Sequence, residues 1–450
     1  MFFRQVLYRD LGCASYVLGD AGEAIVVDPR WDIEVYLEIA RTEHLVIRHV
    51  IDTHDHADHV SGRDRLAAAT GAQPYRSGEE IVAGEEIAVG SLRVWALAAP
   101  GHRPEHLAFA VFDLTRSSEP WVLLSGDSLL VGDIARPDLA YEPADGAREL
   151  HASLRSLLGL GDHVEVWPAH VGGSLCGGAG LSAKTSSTLG FERRSNPMLT
   201  MEEAEFVDGL IGNLPSRPPN IERIVELNRR SDSPRPAEAE RLGETGLRAL
   251  LARHATVLDC RLPADFDTGH LAGSINLPVS SPGVGTRAGW ALDPSEPLVI
   301  VAGEADQALE MASALQAVGF WRLEGYALAD SERWEHRQLP VARADSWDLD
   351  QLADGLRGHS VELVDVRELS EWENGHVAGS HHVPLHRLRD VMSLQIPDRG
   401  VPTAVACAAG VRAAFAASLL RRSGRSDVVR VAGGGIPDLS ARGLELTLGA

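Results

Sequence analysis

The sequence predicts an α/β protein of several domains, and two observations support this fold class. In residues 1–235, short apolar runs typical of buried strands alternate with turns and helical patterns. From about residue 243 onward, one pattern of strands and helices occurs twice at a constant offset. Because 450 residues can form roughly two to four domains, each part is long enough for its own core.

Composition narrows the classes of partner. The chain has 44% hydrophobic residues and a formal net charge of −22, which disfavours nucleic acid and anionic membranes as partners. The N-terminal residues do not have the pattern of a signal peptide, and no apolar run is long enough to span a bilayer. We therefore expect a cytoplasmic protein with free thiols. The oligomeric state is left open, with a homo-oligomer as one possibility. We expect Cys13 and Cys260 to pack in the core.

One loop concentrates residues that bind metals. A strand-like run ends near Ile51, and the sequence from Thr53 to His59 contains three histidines and two aspartates before a helical pattern begins at Arg63. Side chains on a loop between a strand and a helix can converge on one point. Neutral imidazole and carboxylate groups bind borderline divalent metals. The candidate ligands on this loop are His54, His56, Asp58 and His59.

Three further predicted strands end close to a histidine or an aspartate. The strands Leu92–Leu97, Trp121–Ser125 and Val164–Trp167 precede His102, Asp127 and His170. Strand ends on one edge of a sheet can meet at a single site. In order and spacing, this set together with the histidine loop resembles the metallo-β-lactamase fold. The resemblance implies an αββα sandwich over roughly the first 190 residues.

A loop rich in Gly and Ser follows His170 and contains Cys176. The basic residues Lys184, Arg193 and Arg194 come after it. One interpretation is a flexible connection followed by a capped helix. The other is a substrate loop, in which the three basic residues attract an anionic thiol and Cys176 relays sulfur. Both interpretations remain open at this point.

The second half contains the repeat. After a polar, Pro-rich segment at 229–236 that we interpret as a linker, Asp259-Cys260-Arg261 and Asp365-Val366-Arg367 each precede a Gly-His and a Gly-Ser pair. Both copies resemble rhodanese domains, which implies two parallel-sheet α/β domains. The predicted domain boundaries are 1–235, 243–342 and 346–450.

The two copies differ where rhodanese chemistry takes place. The second has Cys407-Ala408-Ala409-Gly410-Val411-Arg412, which matches the Cys-x-x-Gly-x-Arg loop of that family. Backbone N–H groups of such a loop stabilise a thiolate, which activates Cys407, and Arg412 adds positive charge for an anion. In the first copy, Ala302 and Gln307 take these two positions. We therefore expect that copy to be inactive.

The combination resembles persulfide dioxygenase–sulfurtransferase fusions. It implies one Fe(II) per chain, held by His54, His102 and Asp127, which oxidises a low-molecular-weight thiol persulfide with O₂ to sulfite. His56, Asp58, His59 and His170 would orient these ligands or hold a second metal. Cys407 would then transfer sulfane sulfur, giving thiosulfate as one product. Two alternatives remain. One is a dinuclear zinc thioester hydrolase of the glyoxalase II type, fused to a sulfur-carrier domain. The other is a sulfur-trafficking protein in which the metal domain serves only as a docking module.

Overall fold

The computed structural model describes residues 1–172, 174, 176–178, 180–212, 214, 216–230, 238–391, 396 and 399–449. The chain divides into two compact units, Met1–Pro234 with Ala317–Gly319 and Arg235–Gln316 with Phe320–Ala450. Residues 231–236 of the predicted linker lie outside the described residues, and the three domain boundaries stay predictions. Within the described part of the chain, the helices are too short or too polar to cross a membrane.

The first unit contains two sheets. Their strands are β1 (Phe2–Tyr8), β2 (Cys13–Asp20), β3 (Glu23–Val27), β4 (Val46–Asp52), β5 (Gln73–Arg76), β6 (Glu86–Val89), β7 (Leu92–Ala98), β8 (Leu107–Asp113), β9 (Val122–Gly126), β10 (Glu165–Pro168) and β11 (Ser187–Thr188). The orders are β1-β2-β3-β4-β5 and β11-β10-β9-β8-β7-β6. Strands β3, β4 and β5 are parallel, as are β9 and β10, and the other neighbours are antiparallel.

Helices cover the outer face of each sheet. The helices of this unit are α1 (Glu34–Thr42), α2 (Arg63–Thr70), α3 (Pro143–Leu157), α4 (Leu189–Ser195), α5 (Glu203–Ile211) and α6 (Ile221–Arg229), with 3₁₀ turns at Leu158–Leu160 and Pro197–Thr200. One core joins the two sheets, for example Tyr16 to Phe109. Separate cores lie under α1 and α2 and under α3 and α5. This is the αββα sandwich that the sequence predicted, and the fold class is confirmed.

The ends of four strands position the residues of the first unit that carry chemistry. The histidine loop follows β4, Asp127 follows β9, and His170 follows β10, which is the parallel neighbour of β9. His102 lies after β7. The histidine loop closes at Gly62, where a Cβ atom would lie 2.1 Å from the carbonyl oxygen of Arg30. Only glycine allows this close approach of the two backbones.

The first copy in the second unit has a parallel sheet of order β14-β12-β15-β16. Its elements are α7 (Glu244–Ala252), β12 (Thr256–Asp259), α8 (Pro263–Thr268), β13 (His270–Leu271), β14 (Ile275–Asn276), α9 (Val284–Ala291), β15 (Leu298–Ala302), α10 (Ala305–Gln316), β16 (Leu323–Leu328), α11 (Ser331–His336) and β17 (Val341–Ala342). Strands β13 and β17 form a separate antiparallel pair.

The second copy has a parallel sheet of order β18-β23-β22-β19-β21. Its elements are β18 (Ser346–Trp347), α12 (Leu349–Arg357), β19 (Glu362–Asp365), α13 (Leu369–Glu373), β20 (His376–Val377), β21 (His381–His382), α14 (Leu388–Val391), β22 (Thr403–Ala406), α15 (Val411–Arg422), β23 (Val428–Val431) and β24 (Leu446–Thr447), with 3₁₀ turns at Leu385–Arg387 and Ile436–Arg442. The predicted repeat is visible in its details. Arg261 donates to the carbonyl oxygen of Gly269, and Arg367 donates to that of Gly375, both at 2.8 Å.

Candidate metal centre and candidate sulfur-transfer loop

Three buried side chains of the first unit bring their polar atoms together around Asp127. His54 Nε2 lies 3.8 Å and His102 Nε2 lies 3.3 Å from Asp127 Oδ2. Neither nitrogen, nor either oxygen of Asp127, has a hydrogen-bond partner among the described residues. Since unpartnered buried polar atoms are costly, their convergence indicates a group of atoms that could hold a cation.

The second ring nitrogens of these histidines show which lone pairs face the centre. His102 Nδ1 lies 2.8 Å from the carbonyl oxygen of Arg136, which can only accept, so this nitrogen carries the proton. His54 Nδ1 lies 2.9 Å from the hydroxyl of Thr53. Burial lowers the pKa of both imidazoles, and the neighbouring His56 adds to this effect at His54. The neutral imidazole is the form that binds metals.

A second set of buried groups adjoins the first. His170 Nε2 lies 3.1 Å from Asp127 Oδ2 and 3.7 Å from Asp58 Oδ2, without a hydrogen bond to either. His59 Nδ1 lies 3.1 Å from Asp58 Oδ1, and its Nε2 has no partner in the described part of the chain. The structure therefore also brings together Asp58, His59 and His170, and their role in orienting the ligands or holding a second metal stays a prediction.

His56 is turned towards a residue that sequence reasoning did not single out. Its Nε2 lies 3.1 Å from Oδ1 of Asp28, which also accepts hydrogen bonds from the backbone N–H and the hydroxyl of Thr53. Asp28 has a φ of +52°, an unfavourable conformation for a residue with a side chain. Backbone strain of this kind occurs where surrounding contacts fix a residue. The short apolar run directly before Asp28 was the one available signal in the sequence.

Two more residues missed by sequence reasoning hold the ligands in place. His106 Nε2 accepts a hydrogen bond from the backbone N–H of Asp127 at 2.8 Å. Asn228, at the end of α6, donates to the carbonyl oxygens of His56 and His59 at 2.8 and 2.9 Å. It also accepts from the backbone N–H of Ser61 at 2.8 Å. No sequence pattern connects position 228 with the histidine loop.

Cys13 also belongs to this region. Its Sγ donates to Asp58 Oδ2 at 2.9 Å and lies 3.8 Å from His59 Nδ1. The expectation that Cys13 packs in the core is therefore incomplete. Its side chain is buried, but it contacts the candidate metal ligands, and with Asp58 and His170 it forms another group that could hold a cation.

The loop after His170 is described in part, since Gly173, Leu175 and Ala179 lie outside the described residues. Ser174 Oγ lies 2.7 Å from His170 Nδ1 and accepts from the backbone N–H of Cys176. Burial raises the pKa of the Cys176 thiol to about 12, which does not favour the thiolate that a relay requires. The relay role of Cys176 stays a prediction.

The three basic residues proposed for substrate binding are exposed. Arg193 lies 3.2 Å and Arg194 lies 3.7 Å from the carboxylate of Asp162, while Lys184 donates its backbone N–H to Ser182. Because Asp162 lies beside both arginines and offsets one of their two positive charges, these contacts give no support to a substrate-binding role. That role also stays a prediction.

In the second copy, Cys407 lies between β22 and α15 and is 2% exposed. The backbone N–H of Gly410, which has a φ of +88°, donates to its Sγ at 3.0 Å. Arg412 forms two hydrogen bonds of 2.6 and 2.7 Å with the carboxylate of Glu371. The loop thus places a backbone donor on the sulfur, but the charge of Arg412 is offset by a carboxylate.

The Rhodanese-like domain model matches residues 244–328 and 348–441, and the Metallo-beta-lactamase superfamily model matches residues 8–111. The solved structure of a metallo-beta-lactamase from Staphylococcus aureus is 30% identical and covers 73% of this chain and 99% of its own, with a TM-score of 0.66. The chain belongs to the metallo-beta-lactamase superfamily and carries two rhodanese-like domains.

Two curated relatives each match half of this chain or less. The human mitochondrial persulfide dioxygenase ETHE1 is 27% identical over 243 residues, which is 50% of this chain and 86% of the relative. A hydroxyacylglutathione hydrolase from Pseudomonas entomophila is 32% identical over 153 residues, which is 32% of this chain and 56% of the relative. Similarity to the human protein and the rhodanese-like domains together support a role in sulfur metabolism.

The first rhodanese-like domain has a different loop at the place of Cys407. In β12 and β15, Asp259 pairs with Val301, as Asp365 pairs with Ala406 in the second domain. The next residue is therefore Ala302 in one domain and Cys407 in the other. The side-chain oxygen of Gln307 accepts from the backbone N–H groups of Gly303 and Glu304 at 3.2 and 3.4 Å. The first domain therefore has no cysteine at the position of Cys407. The Gln307 side chain accepts the two backbone N–H groups of this loop.

Proposed function

We propose that the metallo-beta-lactamase domain is an iron-dependent persulfide dioxygenase and that the second rhodanese-like domain transfers sulfur through Cys407. One observation carries the first part of the proposal. His54 Nε2, His102 Nε2 and the carboxylate of Asp127 converge as unpartnered buried atoms. Two imidazoles and one carboxylate on one side of a metal suit non-haem Fe(II), because they leave positions open for substrate and O₂. Similarity to a persulfide dioxygenase supports the same assignment.

The residues present fit such an ion. The contact of His102 with Arg136 and that of His54 with Thr53 involve the ring nitrogens that point away from the centre. Bound Fe(II) would supply the site at which O₂ reacts with the terminal sulfur of the persulfide. The complete burial of His54, His102 and Asp127 keeps bulk water away from the ligand atoms. Asn228 fixes the backbone of the histidine loop, so the ligands need little reorganisation to bind a cation.

The overall reaction balances without a further reductant. A persulfide R–S–SH reacts with O₂ and water to give the thiol R–SH, sulfite and two protons. The S–S bond breaks, the terminal sulfur is oxidised, and O₂ is reduced. The substrate enters as a small thiol derivative, and the chain supplies the metal ligands that bring both reactants together.

The second step belongs to Cys407. A thiolate at Cys407 takes the terminal sulfur of a persulfide, which breaks that S–S bond, forms a new one at Cys407 and releases the thiol. Sulfite then attacks the terminal sulfur on Cys407, which gives thiosulfate and regenerates the thiolate. The Gly410 N–H on Sγ supports the anionic forms of the sulfur in both steps.

The deciding experiment measures bound metal and O₂ consumption together. Purified protein loaded anaerobically with Fe(II) should contain one iron per chain and consume O₂ when glutathione persulfide is added. Sulfite or thiosulfate should accumulate in a one-to-one ratio with O₂. Protein loaded with zinc should consume none, since zinc has no redox chemistry.

A second candidate function has its own support. The unpartnered Nε2 atoms of His59 and His170 beside Asp58 could hold another ion, and the chain is similar to a hydroxyacylglutathione hydrolase. A dinuclear zinc thioester hydrolase would bind two zinc ions and cleave a glutathione thioester without O₂. Measurement of thioester cleavage by the zinc-loaded protein separates the two candidates.

A further inference from the structure

We propose that the second unit binds a small tetrahedral oxyanion in a cavity between the two rhodanese-like domains. The cavity has a volume of about 310 Å³. The first domain contributes Phe266, His270, Gly273 and Ser274, and the connecting residues 342–345 form another wall. The second domain contributes residues from Ser418 to Val428 around the C-terminal end of α15. Neither domain can form this cavity alone.

Positive charge accumulates in this cavity. Four arginines line it, and Asp345 is the one carboxylate in its described lining; the arginines are Arg343, Arg421, Arg422 and Arg425. The chain as a whole carries a net charge of −22, so a cavity with more arginines than carboxylates differs from the average of the chain. Like charges in a concave, partly desolvated site repel one another and attract anions.

Two of the arginines are paired with carboxylates. Arg343 lies 2.8 Å from Glu335, and Arg425 lies 3.2 Å from Asp427. Beside the cavity, Arg430 and Asp267 form a third, largely buried ion pair with an N···O distance of 2.6 Å, and their opposite charges cancel. These contacts leave Arg421 and Arg422, and with the Asp345 carboxylate counted against them the lining keeps a surplus of one positive charge.

Arg421 and Arg422 form no ion pair with a carboxylate among the described residues. Arg421 donates to the carbonyl oxygens of Asp345 and Val428 at 3.2 and 3.0 Å. Arg422 donates to the carbonyl oxygen of Gly273 at 2.8 Å and to the hydroxyl of Thr256 at 3.0 Å. Because a guanidinium group has five N–H donors, both keep donors for a ligand.

The surroundings of Arg421 also favour an added anion. Burial lowers the pKa of Arg421, the charge of Arg430 adds to this effect, and the nearby carboxylates of Asp267 and Asp345 do not offset it. The carbonyl groups at the end of α15 explain why basic residues occur in its last turn. They do not explain Arg343 and Arg425, which approach the same cavity from other segments.

The arrangement suits a tetrahedral dianion of the sulfate class. The planar fork of an arginine presents two parallel N–H groups to two oxygens of such an ion. The cavity lies at the opposite end of α15 from Cys407, and this helix of 12 residues spans about 18 Å. The proposed site is thus separate from the sulfur-transfer loop, and it does not depend on the proposed function.

The test uses the full-length protein and selenate, a sulfate analogue that can be located by anomalous scattering. We expect selenate to raise the melting temperature of the wild type more than chloride does at equal ionic strength. The double variant R421Q/R422Q should weaken selenate binding about 10- to 100-fold, since each loses charged hydrogen bonds. The matched control is Arg357→Gln, which removes another arginine of this unit that pairs with Asp354 on the surface. It should bind selenate as the wild type does.

Arg412→Gln separates this site from the Cys407 loop and should also retain binding in the cavity. Unchanged selenate binding in R421Q/R422Q, or its loss in Arg412→Gln, would refute the proposal, and so would an equal effect of chloride. If the double variant does not fold, Arg422→Gln alone and a selenate-soaked wild-type crystal decide the question. An anomalous selenium peak beside Arg421 supports the proposal, whereas a peak confined to the Cys407 loop overturns it.

Discussion

The Sγ atom of Cys13 lies 2.9 Å from Oδ2 of Asp58 and donates its hydrogen to that oxygen. The other oxygen of Asp58 faces Nδ1 of His59 at 3.1 Å. Both oxygens of the carboxylate are therefore engaged within the protein. A cation beside His170 and Asp58 has to compete with these contacts, which favours a single metal ion at His54, His102 and Asp127.

This relationship gives a prediction about metal number. Cys13→Ala frees one oxygen of Asp58 and should raise the zinc content of zinc-loaded protein from about one towards two per chain. Cys13→Ser keeps a hydrogen-bond donor and is the matched control, with the metal content unchanged. Metal analysis after gel filtration measures both. A fall in metal content in Cys13→Ala would instead identify Cys13 as a ligand.

Replacement of the proposed ligands should remove the metal. His54→Ala, His102→Ala and Asp127→Ala each delete one of three ligands, and we expect loss of bound iron and of O₂ consumption. His59→Ala should cost less, about 10- to 100-fold in metal affinity or activity, because His59 is proposed to orient its neighbours. Iron content and O₂ uptake measure the effect. Equal losses of metal in both groups of variants would favour a dinuclear centre.

Asn228 should act on metal affinity through the backbone of the histidine loop. Asn228→Ala removes two donors to carbonyl oxygens of that loop and the acceptor for Ser61 N–H. We expect iron to be lost to a chelator about ten times faster than from the wild type. Arg230→Ala, which removes a surface pair with Glu226, is the control. Melting of the metal-free proteins distinguishes this effect from general destabilisation, and parallel losses in both would contradict a positioning role.

Cys407→Ser should abolish sulfur transfer from thiosulfate to a thiol, because a hydroxyl cannot form the persulfide. O₂ consumption with a persulfide should persist, and the oxidised product should shift from thiosulfate towards sulfite. Cys260→Ser should change neither activity, since Cys260 is buried and burial raises its pKa to about 12. Both assays use the same preparation. Transferase activity that survives in Cys407→Ser would assign the sulfur carrier to another cysteine.

The pair of Arg412 and Glu371 should set the affinity of the Cys407 loop for anions. Glu371→Gln removes the carboxylate that offsets Arg412 and should lower the KM for thiosulfate several-fold. Arg412→Gln should raise the KM and leave partial activity. Steady-state kinetics at constant ionic strength measure both values. A rise in KM in Glu371→Gln would show that the carboxylate is needed to orient Arg412.

Sequence patterns predicted most of the fold because strand periodicity and the repeat are local or regular signals. The strand predicted before the histidine loop is β4, and His102, Asp127 and His170 follow the strands expected to precede them. The first copy has Ala302 and Gln307 at the positions of Cys407 and Arg412, which is readable from the sequence alone, and its inactivity stays a prediction. These features depend on the order of residues along the chain.

Contacts between distant segments could not be predicted in this way. Asn228 reaches the histidine loop from α6, and Cys13 reaches Asp58 from the start of β2. In the sequence, Asn228 looks like an ordinary polar residue at a helix end, and Cys13 looks like an ordinary buried thiol. Arg193 and Arg194 illustrate the same limit, because both lie beside the carboxylate of Asp162, a contact that the basic stretch did not predict, and their substrate-binding role stays a prediction.

Gln307 in the first rhodanese-like domain has a consequence for protein engineering. A cysteine introduced at position 302 would meet a loop in which two backbone donors already bind the Gln307 oxygen. The single change Ala302→Cys would therefore create a thiol but not a reactive centre. Exchange of Gln307 for arginine would also be needed, since it both releases those donors and supplies a cation. In the single variant, the amide oxygen of Gln307 would still occupy the two backbone N–H groups that the new thiolate needs.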